Sequence, residues 1–483
     1  MNYRAVSYYL GVICKIVGVF LVIPMIASLC YREFDVITSF VYTALIYEGV
    51  GFLLSPVSPK NKKLGRKEGL ITVGLSWILI SSIGAFVFVF SGAIPNYYNA
   101  LFETISGFTT TGATVINDVE SLSKGVLLWR SLTHWIGGMG ILVFLLAVLP
   151  NTDGSAFQLM RFEAPGPQVG KLVSKVRHSA AILYVIYFGL TMLEMVFLLF
   201  GNIGFFDSLN VALSTAGTGG FAVHNTSILA YDSLYVEIVV IVFMLIFSIN
   251  FNVYYLMVLK KFSTAFKDEE FRIYIIYVVL SIVGVALAIM SSVGSFGVSL
   301  RHAAFAVVSL ASSTGFTTVD FSLWSEAAKA ILTISTILGA CAGSTGGGLK
   351  FSRFMVVVKA SYTTLLSSIR PNSVHIVKLN KKAISREDTE GVVGYFLLYI
   401  LVIFVSVFAL SVFGHSFSAS FYTTIAMFNN TGPCIDASVG ATSSYLAFDW
   451  GSKTVMMLNM LIGRLEIFPI LFLFSPKVWS RKY

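Results

Sequence analysis

Apolar residues run through this chain in long, nearly unbroken stretches, and polar residues gather in short clusters between them. Ten stretches reach the roughly 20 residues that a helix needs to cross a bilayer. They lie near 7–29, 36–56, 70–92, 126–150, 179–201, 233–259, 272–293, 329–350, 391–413 and 453–475. Four further apolar stretches are shorter: Tyr97–Phe108, Phe205–Ala216, Leu300–Ser312 and Ser416–Phe428. As helices they measure roughly 18 Å against a hydrocarbon core of about 30 Å. Each is therefore predicted to enter the membrane only to its middle. An interfacial helix or an outside loop is the alternative for any one of them taken alone.

The residues just past these short stretches separate the alternatives. They include Thr110-Thr111-Gly112, Gly217-Thr218-Gly219, Ser313-Thr314-Gly315 and Asn430-Thr431-Gly432. One Thr-Gly pair means little. Four of them, each after a half-length segment and each between two full-length ones, form an internal repeat. Non-helical backbone survives at membrane depth only where protein buries it or it lines a watery cavity. Four such loops around one axis can turn carbonyl oxygens inward and replace the hydration shell of an ion. The half-length helices would end near mid-membrane, where each C-terminus carries about half a negative charge. Such a ring favours a cation, held mainly by the backbone carbonyls of these twelve residues.

Composition agrees. The chain has 483 residues, of which 56% are hydrophobic and 12% charged, with a mean hydropathy of +0.82. Soluble domains carry about 25% charged residues. The net charge of +9 is a matter of topology and does not point to nucleic acid. Lys and Arg cluster in alternate connections: Lys60–Lys67, Arg161–Arg177, Lys260–Arg272, Lys350–Arg386 and Lys477–Lys482, with Arg4 at the start. Basic loops stay in the cytoplasm, which predicts both termini there. The first stretch is too long for a signal-peptide core and has no clear cleavage site. Four scattered cysteines and six scattered histidines suggest neither a disulfide framework nor a metal site. With no nucleophile–base arrangement, an enzyme is not expected.

Two polar features interrupt the apolar pattern. Gly339–Lys350 carries five glycines inside a segment otherwise long enough to span, and each costs a helix about 1 kcal/mol relative to alanine. Gly343, Gly346, Gly347 and Gly348 are predicted to break it, although close helix packing through small residues is the alternative. Lys350 is followed by Phe351, so the stretch is not a phosphate-binding loop. Arg464 lies among Met460, Leu461, Ile462 and Leu465. An arginine at helix centre costs at least about 2.5 kcal/mol on insertion, so it should face a pore or a partner, or contact loop carbonyls. Glu466, two residues on, falls on another helix face. Glu48 and Glu194 read as satisfied core carboxylates at helix ends, with proton or ion sites as the alternative, and Glu103 as a group that bonds backbone behind the loops.

The four Thr-Gly loops, Arg130–Gly140 (Arg-Ser-Leu-Thr-His-Trp-Ile-Gly-Gly-Met-Gly), Gly339–Lys350 and Gly463–Ile467 together resemble the Trk/Ktr/HKT superfamily of potassium transporters. The resemblance covers nearly the whole chain. The helix pair before the first repeat is found in its Trk branch and missing from its Ktr branch. It implies an all-α polytopic membrane protein with a fourfold pseudo-symmetric repeat of helix–pore loop–helix. The expected parts are 1–69 for the N-terminal pair and 70–178, 179–271, 272–390 and 391–483 for the repeats. It further implies K+ as the transported ion with no covalently bound cofactor, a homodimer in the bacterial inner membrane, and a cytosolic TrkA-type nucleotide-binding partner. The gate would be Gly343, Ser344, Thr345, Gly346, Gly347, Gly348 and Lys350, with Arg464 pointing to the cavity beside it. The basic connection from Phe351 to Glu390 would be part of the partner's dock. The second loop, Ala-Gly-Thr-Gly-Gly, and the fourth, ending Gly-Pro, depart from the family pattern. A symporter coupled to H+ or Na+ is the competing class. The sequence shows only one broken helix, whereas such symporters are usually built from paired repeats with several.

Overall fold

The computed structural model describes residues 2–57, 59, 64–140, 176–370 and 375–476. It is a bundle of helices, with one two-stranded antiparallel ribbon pairing Lys378–Leu379 with Lys382–Ala383 among the described residues. Residues 141–150 of the expected span 126–150, residues 161–175 of one basic cluster and all of Lys477–Lys482 lie outside the described residues.

Six of the expected spans are continuous helices long and apolar enough to cross a membrane: Tyr3–Cys30, Phe34–Leu54, Lys67–Phe90, Ala180–Leu199, Glu269–Val293 and Arg386–Val412. Their outward side chains are large and apolar; on Arg386–Val412, Leu397, Leu401, Phe404 and Phe408 are all exposed. An isolated helix surface of this kind suits lipid and not water.

The spans after the short segments behave differently, and here the expectation of a single broken helix fails. Leu234–Ser248 and Phe251–Val258 meet at a 91° bend, where Asn250 accepts from the amide of Asn252 at 2.9 Å and starts a new helix. Glu326–Leu338 stops at Gly339, whose φ is +64°. Trp450–Leu465 and Phe468–Phe474 are separated by Glu466, at φ +56°, and Ile467. Single apolar runs concealed these breaks because hydropathy does not register a change of helix direction.

All four short segments are helices: Tyr97–Phe108, Phe205–Gly217, Phe296–Ala311 and Phe417–Phe428. The third begins about one turn earlier than its apolar pattern suggested. Asn96 caps the first by accepting from the amides of Tyr98 and Asn99, and Ser416 caps the fourth through Ala419. Their C-terminal halves are buried, among Phe102, Phe108, Trp77 and Trp129 in the first unit and Phe305, Tyr187 and Tyr274 farther round.

Candidate functional site

Each short helix ends in the same way. The amides of Thr111, Gly219, Thr314 and Thr431 donate to the carbonyls of Ser106, Ser214, Ser309 and Ala426 at 2.9, 3.0, 2.9 and 2.9 Å. One residue earlier, Thr110, Thr218, Ser313 and Asn430 donate to Gly107, Thr215, Leu310 and Met427. This pair of bonds is the Schellman closure, which needs a left-handed residue just past the helix. Here that residue is never glycine: φ is +55° at Thr110, +53° at Thr218, +57° at Ser313 and +52° at Asn430. Threonine in this region is uncommon and strained, and such strain persists only where the surroundings enforce it.

Two residues later the chain is left-handed again, at Gly112, Gly220, Gly315 and Gly432, with φ of +79°, +80°, +79° and +88°. The second loop is thereby re-registered. The expected alignment set Gly217-Thr218-Gly219 beside Thr110-Thr111-Gly112; the backbone sets Thr218-Gly219-Gly220 there instead. Gly219 occupies the threonine position because a Cβ on it would lie 2.3 Å from Cγ of His134. The imidazole fills the space that a threonine side chain takes in the other loops, which accounts for the Gly-Gly departure.

The four loops close on one another. A Cβ added to Gly112 would meet the Gly219 carbonyl oxygen at 2.0 Å, and one on Gly220 would meet that of Thr314 at 2.1 Å. On Gly315 it would meet the Thr431 oxygen at 2.0 Å, and on Gly432 the Thr111 oxygen at 2.4 Å. The chain of contacts runs from the first loop to the second, third, fourth and back to the first. No L side chain fits at any of the four. On one side of this ring is a cavity of about 540 Å³ bordered by all four glycines and by Arg130, His224 and Tyr445.

On the other side lies the glycine-rich stretch, which is not helical between Gly339 and Lys350. It touches the ring directly. A Cβ on Gly346 would meet Ser312 O at 2.7 Å, one on Gly347 would meet Asn429 O at 2.4 Å, and the Gly347 amide donates to Ser313 Oγ at 2.5 Å. Lys350, buried at φ +67°, turns back and donates its Nζ to Gly346 O at 2.5 Å. Gly343 O accepts from the Phe251 amide and Thr345 Oγ1 donates to Phe247 O, so the stretch is also tied to the bent span. Arg464 donates to Thr345 O at 2.7 Å and to Gly137 O and Gly138 O at 2.5 and 2.6 Å. It thus bridges the stretch to the first unit.

The family profile for TrkH, described as a cation transport protein, matches residues 34–483. The chain belongs to the TrkH family. It is 32% identical to the Trk system potassium uptake protein TrkH of Escherichia coli (strain K12), over 99% of this chain and all of that one. It is 30% identical to TrkG of the same strain, over 99% of this chain and 98% of that one. The crystal structure of the potassium transporter TrkH from Vibrio parahaemolyticus superposes with a TM-score of 0.89 at 29% identity, covering 99% of this chain and all of that one. A TrkH-family chain is a transporter and not an enzyme, and its several apolar spans fit a multi-pass membrane protein.

Within this TrkH-family fold, sequence reasoning missed Glu270. Its buried Oε1 accepts from the amides of Ala342 and Ser352 at 2.8 and 3.0 Å, pinning both ends of the glycine-rich stretch. Nothing in the sequence marks it, since it lies just ahead of an apolar span among other charges. Glu466 pairs with Arg353, leaving Arg464 to the carbonyls. Glu103 bonds backbone behind the first loop, at Val115 N, as expected, and also meets Arg130. Glu194 is buried beside the Thr215 side chain.

Proposed function

We propose that this protein takes up potassium across the bacterial inner membrane through a gated, channel-like pore, as its relatives named for Trk potassium uptake suggest. The carrying observation is the closed ring in which Gly112, Gly220, Gly315 and Gly432 each pack on the carbonyl of the next loop. A pore lined by backbone oxygens favours a cation without a side-chain carboxylate. The four short helices contribute the negative ends of their dipoles beneath it.

The glycine-rich stretch is the gate. It lies against Ser312, Ser313 and Asn429 of the ring, and Arg464 adds a positive charge that opposes cation entry while it holds Thr345 in place. Both termini are cytoplasmic, by the distribution of basic loops. Two copies form a homodimer with one pore each, and a cytosolic TrkA-type subunit docks on the connection from Phe351 to Glu390. The ribbon in that connection supports a mechanical link. Asn380 donates its amide to Glu269 at 2.9 Å, Lys359 also pairs with Glu269, and the neighbouring Glu270 pins the gate.

The test is cation flux in liposomes holding the purified protein. Rubidium should enter well and sodium less well, and Gly315→Ser should erase that preference. A wild-type protein that passes both ions equally argues against the filter. The second reading, symport with H+ or Na+, is favoured by the interruption of three spans and not one. An imposed pH or sodium gradient that drives rubidium uphill would support it; uptake that only tracks the rubidium gradient would support the conduit.

A further inference from the structure

The motif from Arg130 to Gly140 meets the ring through His134 and Arg464 through the Gly137 and Gly138 carbonyls, which leaves the role of Arg130 itself, directly behind the ring, unassigned. Glu103, in Tyr97–Phe108, and Arg130, in Lys124–Gly138, form an ion pair at 2.9 Å with side chains 0% and 2% exposed. The corresponding positions of the other short helices, counted back from Gly220, Gly315 and Gly432, are Val211, Ala306 and Thr423, all uncharged. The pair therefore breaks the fourfold pattern at one place.

Its contacts run to two loops. The Glu103 carboxylate accepts from Thr114 Oγ1 at 3.0 Å and from the Val115 amide at 2.9 Å, just past Gly112. Arg130 donates Nη2 to Thr114 Oγ1 at 3.4 Å and Nη1 across to Ala222 O at 3.3 Å, two residues past Gly220. Its guanidinium lies 4.1 Å over the Phe221 ring. His134 stands four residues on, so it shares a helix face with Arg130. It donates Nδ1–H to Gly107 O at 2.7 Å and stacks on Phe221 with centroids 4.2 Å apart. Phe221 is thus held by two side chains of one helix of the first unit. The remaining loops are braced by neutral groups: Ser309 Oγ donates to Phe316 O, and Tyr445 OH donates to Gly432 O.

We propose that Arg130 and Glu103 are positioning residues for ion discrimination. Together they fix the backbone just past Gly112 and Gly220, and their charges cancel beside the cavity that Arg130 borders. This rests on the four loops being the filter. Removing one partner of a buried pair strands the other charge, whereas removing both does not. Lysine keeps the charge of arginine but not its planar fork. These two facts give the pair a signature that a merely structural contact lacks.

The experiment compares rubidium and sodium flux in liposomes for the wild type, Glu103→Gln, Arg130→Gln, Arg130→Lys and the double variant Glu103→Gln/Arg130→Gln, with Gly315→Ser as the reference for a damaged filter. Glu103→Gln leaves a cation beside the mouth and should raise the KM for external rubidium on the order of tenfold, with a smaller change in maximal flux. Arg130→Gln should lower the rubidium-to-sodium ratio, and Arg130→Lys should keep the wild-type KM but not the ratio. The double variant should recover most of the KM lost in Glu103→Gln. It and Arg130→Lys strand no buried charge, so they carry the comparison where a single neutral variant does not insert. The clamp is overturned if Arg130→Lys and the double variant keep the wild-type KM and ratio while Gly315→Ser loses its ratio, or if the two single effects simply multiply. A Gly315→Ser protein with the wild-type ratio overturns the filter itself, and the clamp with it.

Discussion

The ring of four loops and the glycine-rich stretch beneath it are in contact, but they are held together by different physics. The ring is made from backbone against backbone, repeated four times with φ values that agree within a few degrees at the left-handed threonine, serine and asparagine positions. The stretch comes from one unit alone and is held largely by side chains, Arg464 on Thr345, Lys350 on Gly346 and Glu270 on Ala342 and Ser352, with backbone bonds from Phe251 to Gly343 and from Cys341 to Ser248. Close-packed backbone has no alternative arrangement nearby, whereas a loop held by a few hydrogen bonds can exchange them. On the proposed reading, selection and gating are then separable properties. Each can be damaged without the other.

The largest effect should come from the ring. Serine at Gly315 or Gly432 puts a Cβ about 2 Å from a carbonyl oxygen of the next loop. Overpacking of this kind costs about 1–3 kcal/mol, so discrimination between rubidium and sodium should fall by roughly one to two orders of magnitude. Dual-ion flux measures it. Unchanged preference in both variants would mean that the ring tolerates distortion and that ions are selected elsewhere.

Arg464→Ala should come next. It removes three charge-assisted hydrogen bonds, each worth about 1.5–3 kcal/mol, and the charge itself. Flux through the protein reconstituted alone should rise about tenfold or more, at the wild-type ion ratio. A rise accompanied by lost discrimination would join the two layers that are held here to be independent.

Glu270→Ala should act in the same direction but less strongly, because it frees the two ends of the stretch and leaves its middle attached. Glu270→Gln retains an acceptor oxygen for the two amides, and its flux should stay within about twofold of wild type. Equal flux in the alanine and glutamine variants would show that the carboxylate's charge, and not its hydrogen bonds, is what matters.

The smallest expected effect lies at the outer loops. Asn225 donates to the Asp118 carboxylate at 2.9 Å and holds it below the usual carboxylate range. A depressed folded-state pKa stabilises the fold above the unfolded value and loses that contribution as pH falls through the folded one. Asp118→Asn should therefore lower thermal stability slightly at neutral pH and not at all in acid. Thermal melts across that range would reveal the difference, and ion preference should not move.

The same contrast explains how far these layers were legible in the sequence. The short helices and the Thr-Gly loops were readable because length, hydropathy and glycine all act locally. The register of the second loop was not, because Gly219 is set by the His134 ring, which arrives from another unit. The breaks at Asn250 and Glu466 were hidden inside apolar runs, and Glu270 was hidden because its two partners lie more than 70 residues away. Arg464 was readable as a misplaced charge, but its three carbonyl partners were not.

Flux through Gly315→Ser and Arg464→Ala proteins, reconstituted side by side without a partner subunit, tests the separation most directly. The rubidium-to-sodium ratio should collapse toward unity in the first. It should stay at the wild-type value in the second while absolute flux climbs. A Gly315→Ser protein that keeps the wild-type ratio, or an Arg464→Ala protein that loses it, would contradict a filter built by the backbone ring and a gate built beneath it.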